Sequence, residues 1–144
     1  MSEISVPNVA DDGYCPEYQN MFDAGADCRA SETVRLLPGE SALVDLGFSV
    51  NIPPGFVGLL CSRSGLSARE RIEVANGVGV IDAGYTGRVK AHLVNNGDQA
   101  YQIVTGDRVA QLLVTPVVKA AYAPVKTLEE TQRGNGGFGS TGKN

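Results

Sequence analysis

Long apolar runs are missing from this chain. No stretch approaches the roughly 20 residues a helix needs to cross a bilayer, so neither a transmembrane segment nor a membrane partner is expected. The N-terminus, MSEISVPNVADDG, lacks a basic region followed by an apolar one. No secretory signal is therefore expected, and the chain is assigned to the cytoplasm, or to a host's cytoplasm if it is viral. Cysteine is scarce: Cys15, Cys28 and Cys61 are far apart, odd in number and form no CxxC pair. Zinc ligation and a disulfide framework are both poorly supported, and reduced, mostly packed thiols are expected. Histidine is scarcer still. A Ser-His-Asp site would depend on His92 alone, and nothing near it marks a nucleophile elbow. Its place in the alternating run VKAHL reads as structural, or simply exposed. A basic face is also missing. The net charge of −4 argues against broad nucleic-acid binding. It still allows a polyphosphate to be held by a few local Arg residues and a metal ion.

What is present suits one domain with a real core: 144 residues, 42% of them hydrophobic. Residues 1–20 read as an arm or a first short strand. Ser31 to Glu40 is loop-like and ends on Pro38-Gly39, a turn signal. Val44, Leu46, Phe48, Val50 and Ile52 alternate strictly, which predicts a half-buried strand. FVGLLC, Phe56 to Cys61, reads as a strand buried on both faces. SRSGLSARERIE, Ser62 to Glu73, is the one plausible helix, with Ser62 or Ser64 as its cap. Strands follow at 89–94, 101–104 and 109–114, the first two separated by an Asn-Gly hairpin signal. A last extended segment is expected from Pro116 to Val125. Many short strands with a turn every eight to twelve residues predict an all-β antiparallel sandwich, jelly roll or distorted barrel.

The stretch GVGVIDAGYTGRVK, Gly77 to Lys90, stands out. Val78, Val80 and Ile81 read as a buried strand, and Asp82 heads a Gly-containing turn before Arg88 restarts a strand. The pattern predicts a β-hairpin. Main-chain groups near such a bend could pair with the edge of a nucleobase. Tyr85 offers a ring face and Asp82 a base. An ordinary turn, with Asp82 bonding its own backbone, explains the same residues. In RGNGGFGSTG, residues 133–142, half of the positions are Gly, so the segment cannot hold one conformation unaided. It reads as a disordered tail or as an arm that orders over a ligand. Residues 1–132 are taken as the β domain and 133–144 as the arm.

Five segments together resemble, in order and spacing, the five motifs of the trimeric dUTPase family: DAGADC (23–28), RSGLS (63–67), ANGVGVIDAGYTGRV (75–89), GDRVAQLLV (106–114) and RGNGGFGSTG. The resemblance implies a jelly-roll subunit and a homotrimer with active sites between subunits. It also implies hydrolysis of dUTP to dUMP and pyrophosphate, which keeps uracil out of DNA and supplies dUMP for dTMP synthesis. Asp82 matches the carboxylate that activates the water attacking the α-phosphorus. Asp27 matches the aspartate that holds Mg²⁺ through waters, with Asp23 structural. Ser64, Gly65 and Gln111 match phosphate-binding positions. Arg63 either binds phosphate or pairs with Asp107. Asn76 and main-chain groups from Gly79 to Ile81 match the uracil-reading edge, Tyr85 the sugar platform, and Lys90 a further substrate contact. In the arm, Arg133 would meet the γ-phosphate, Phe138 would stack on uracil, and Gly139, Ser140 and Thr141 would add contacts. Two positions depart from the pattern: Cys28, where Leu is commoner, and Gly84, where many members have Asp. A dCTP deaminase shares the fold but carries a glutamate near the position of His92, and commonly lacks the complete terminal motif. A non-catalytic, nucleotide-gated regulator is the other rival, and a regulatory protein partner stays open.

Overall fold

Strict alternation of apolar residues makes β4 (Ser41–Val50), in which Val44, Leu46 and Phe48 are wholly buried. In this computed structural model, which describes residues 3–139, β4 is the centre of a four-stranded antiparallel sheet. Its neighbours are β1 (Asn8–Ala10) on one side and β8 (Arg88–Asn95) on the other, with β6 (Ile72–Val74) beyond β8. A second antiparallel sheet has the order β2 (Ala26–Arg29), β10 (Arg108–Pro116), β5 (Phe56–Ser62), β7 (Val78–Ile81). A third, small sheet pairs β3 (Val34–Leu36) with β9 (Tyr101–Ile103). The core joins Val44, Leu46, Phe48, Ala91 and Leu93 of the first sheet to Cys28, Leu60, Ala110 and Leu112 of the second. Each large side chain buried there contributes about 1.5–3 kcal/mol. The all-β antiparallel expectation holds.

Two expected hairpins do not form. β7 pairs only with β5, whereas β8 pairs with β4 and β6. The turn between β7 and β8 therefore carries the chain from one sheet to the other. β8 and β9 likewise lie in different sheets, because the Asn95–Asp98 turn is tied elsewhere. Asn95 is fully buried; its side chain donates to the carbonyls of Leu36 and Gln99 and accepts from the Gly97 amide.

Other expectations need trimming. Ser31–Glu40 is not all loop, since it contains β3. The outer face of β5 is half-exposed rather than buried, because that sheet is covered on one side only. The helix α1 spans Ser64–Glu70 and is capped by neither serine: Arg63 occupies the N-cap without a side-chain bond. Ser62 Oγ instead accepts from the Val74 amide. Arg71 ends the helix in a left-handed conformation, φ 58°. After Pro116 no further strand follows among the described residues, and Val118, Tyr122 and Leu128 are almost fully exposed. Only Cys28 of the three free thiols is buried; burial, then the Asp27 charge, pushes its pKa up to about 12.

Candidate active site

β7 is an edge strand, so one of its sides carries main-chain N–H and C=O groups with no neighbouring strand. A cleft of about 570 Å³ lies there, lined by Asn76, Gly79, Ile81, Asp82, Tyr85 and Lys90, among others. Asp82 sits at the strand's end, exposed, and its carbonyl accepts from the Tyr85 amide at 3.1 Å. Gly84, φ +86°, turns the chain between them; only glycine adopts that conformation without strain. The Tyr85 hydroxyl donates to the Arg88 carbonyl at 3.0 Å. Its ring lies over Gly87, where a Cβ would come within 2.6 Å of the hydroxyl oxygen. Tyr85 is thus held by its own turn and stays half-exposed.

A second cleft, about 510 Å³, contains Asp27, Arg63, Ser64, Gly65 and Gln111. β10 brings Gln111 opposite both Asp27 on β2 and Cys61 on β5, so these side chains share one face of the sheet. The Asp27 carboxylate is clamped by two guanidinium groups. Arg63 Nε donates to one oxygen at 2.8 Å and Arg108 Nη1 to the other at 3.0 Å. Arg63 also donates to the Arg108 carbonyl. Its partner is therefore Asp27 and not Asp107, whose carboxylate accepts instead from the Val104 amide. Gln111 Nε2 donates to the Ser62 carbonyl at 2.9 Å, and its amide fills the space where a Cβ on Gly25 would stand.

Asp27 was also tested as a place for Mg²⁺. An ionised carboxylate offers about four lone-pair directions, and the two arginines occupy one on each oxygen. Among the described residues, no group of three His, Cys, Asp or Glu is gathered that could hold an ion directly. The donor set suits an ion that keeps its waters and reaches Asp27 through them, as Mg²⁺ prefers.

The two clefts share no lining residue. β5 separates them, with Leu60 lining the first and Cys61 the second. Within one chain the predicted residues that line a cleft thus fall into two separate groups. A family model described as dUTPase matches residues 11–142. This chain belongs to the dUTPase family. It is 44% identical, over 99% of its length and 94% of the relative's, to the deoxyuridine 5'-triphosphate nucleotidohydrolase of Cutibacterium acnes. The enzyme of the same name from an Anaeromyxobacter species is 46% identical over 89% and 87% of the two chains. Among solved structures it resembles the Staphylococcus bacteriophage 80alpha dUTPase with dUPNHPP, at TM-score 0.88 and 31% identity over 96% and 98% of the chains. It also resembles a mutant of the dUTPase from phage phi11 of S. aureus, whose structure describes coordination of a structural Mg(II) ion. That match has TM-score 0.80 and 30% identity over 88% and 100%.

Not every predicted residue reaches a cleft of this dUTPase-family chain. Arg133, Phe138 and Gly139 line neither. Arg133 bonds the Gly136 carbonyl and the Phe138 ring is fully exposed. Ser140 and Thr141 lie outside the described residues. Arg88 and His92 line the first cleft without having been foreseen as site residues. His92 Nε2 is 3.0 Å from Ser41 Oγ. Arg88 meets Asp11 and Asp45, which lie 77 and 43 residues away in sequence, so no local pattern could have flagged it.

Proposed function

We propose that this chain is a dUTP diphosphatase, converting dUTP and water to dUMP and pyrophosphate. The observation that carries the reading is Asp82, placed at the end of the unpaired strand edge in the cleft shared with Asn76 and Tyr85. Alternating main-chain donors and acceptors along β7, with the Asn76 amide, match the polar edge of uracil. Cytosine presents the opposite pattern at its amino-bearing edge and would leave buried groups unpaired, at about 1–3 kcal/mol each. Tyr85 lies against the deoxyribose and leaves no room for a 2′-hydroxyl, while Lys90 adds a contact. Asp82 orients a water molecule in line with the α-phosphorus and takes its proton as the new P–O bond forms. The bond to the bridging oxygen breaks, and pyrophosphate leaves with the electron pair.

Charge neutralisation comes from the second cleft. Ser64, Gly65, Gln111 and Arg63 face the phosphates, and Asp27 would hold Mg²⁺ through waters. When bound, the ion would supply positive charge to the triphosphate. Because the two clefts are separate in one chain, the working site is assembled between copies, in a homotrimer. Exposed Val78, which lines neither cleft, supports such packing. Residues 133–144, including Arg133, Phe138, Gly139, Ser140 and Thr141, act as an arm closing over a neighbour's site. The product feeds dTMP synthesis and the reaction keeps dUTP out of DNA.

Pyrophosphate release measured on dUTP, dTTP, dCTP and UTP tests this reading. Release from dUTP at a rate far above the other three is expected. Equal rates on all four, or ammonia release from dCTP, would reject it.

A further inference from the structure

We propose that Arg88 is a positioning residue for sugar selection, clamping the base of the Asp82–Gly87 turn to two other parts of the fold and so fixing Tyr85. The inference rests on the reading of Tyr85 as the sugar platform. The turn's own hydrogen bonds are Tyr85 N–H to Asp82 O, and Tyr85 Oη to Arg88 O at the start of β8. Neither reaches beyond the turn and its two stalks, so the turn's placement depends on where those stalks are anchored. β7 anchors one stalk through β5. The other stalk begins at Arg88, where the β4–β8 ladder is irregular. Pairing shifts between Asp45↔Lys90 and Ser49↔Arg88, around Gly47 with φ +77°. Backbone pairing is weakest at the point where the turn must be held.

The Arg88 side chain spans that break. Its Nη1 and Nη2 bond the two oxygens of Asp11 at 3.2 and 2.7 Å, a bidentate pair. Its Nε and Nη2 reach the two oxygens of Asp45 at 3.3 and 3.1 Å. Both partners are anchored in turn. The Asp11 backbone is tied by its amide to the Gly47 carbonyl, and the Asp45 carboxylate is fixed directly, its Oδ1 accepting from the Gly47 amide at 2.7 Å and from Ser31 Oγ at 3.2 Å. A planar fork shared between two carboxylates transmits position better than a lysine could. The Arg88 carbonyl, held by the same residue, accepts the bond that orients Tyr85.

The test is the ratio of kcat/KM for dUTP to that for UTP, measured for the wild-type enzyme, Tyr85→Ala, Arg88→Ala, Arg88→Lys, Asp11→Asn and the double variant Tyr85→Ala/Arg88→Ala. Residues in one network couple, so Arg88→Ala should lower the ratio by about fivefold or more, Asp11→Asn should lower it in the same direction, and Arg88→Lys should restore part of it. In the double variant the ratio should match that of Tyr85→Ala alone. If Tyr85→Ala relaxes selectivity while Arg88→Ala and Asp11→Asn slow both substrates equally, Arg88 is only structural and the inference fails. If Tyr85→Ala itself leaves the ratio unchanged, the sugar-platform reading fails instead. Asp11 lies outside the cleft lining, which keeps the test decisive should Arg88→Ala fold poorly.

Discussion

One carboxylate does not resemble another in this molecule, and the difference lies in what surrounds each. Asp27 is locked between Arg63 and Arg108, while Asp82 has no side-chain partner among the described residues and lines an open cleft. The proposed function gives the proton-accepting role to the carboxylate without a side-chain partner. Asp82→Asn should lower kcat by about 10²–10⁴-fold, the usual contribution of a positioned base, while dUTP binding measured by calorimetry persists. Turnover within a few-fold of wild type would remove Asp82 from that role. The Arg88 clamp gives a pH signature. Asp11 is held below its ordinary value of 3.8, first by the hydrogen bond from Arg88. In Asp45, burial pushes the pKa up, but bonds from the Gly47 amide, Arg88 and Ser31 outweigh it. A depressed carboxylate stabilises the fold above its unfolded pKa and loses that stabilisation as pH falls through its folded value. The melting-temperature gap between wild type and Asp11→Asn should therefore be open near neutrality and close as pH drops below 3.8. A gap independent of pH would show that the pair does not stabilise.

At the scale of elements, β4 and β5 were legible because alternation and continuous apolar runs follow from the side-chain period of a strand. Pairing was not legible. Both Gly-containing turns, at 82–87 and 95–98, read as hairpins, yet each passes the chain between sheets. A turn's residues set its local dihedrals, not which strand its flanks will meet. Asn95 shows what overrides them: a buried amide bonded to Leu36, Gln99 and Gly97 commits the chain to β3's neighbourhood. Asn95→Ala would leave those groups unpaired and should cost about 2–3 kcal/mol in urea denaturation; a loss under about 0.5 kcal/mol, the level of a neutral surface change, would refute its importance. Many of the residues that line the clefts were legible from their motifs, but their division into two clefts was not, since it depends on which face of β5 each neighbour shares. For the terminal segment, deletion of residues 133–144 should cut kcat/KM for dUTP strongly while the melting temperature stays near wild type, because none of its described residues, 133–139, belongs to the core cluster. Unchanged kinetics would contradict an arm that closes over the substrate.

At the scale of the whole molecule, the proposed function has the two separate clefts of one chain completed by other copies. Exposed Val78 of β7 and the exposed apolar side chains after Pro116 are costly on a lone subunit and useful between subunits. The central claim is that Asp82 of one copy and the arm of another serve the same dUTP. It is tested by mixing two inactive proteins, Asp82→Asn and a chain truncated at residue 132, then unfolding and refolding them together in equal amounts. Random assembly would give about a quarter of the sites both an intact Asp82 and an intact arm, so about a quarter of wild-type pyrophosphate release from dUTP should return. A mixture no more active than its two parents would contradict the account.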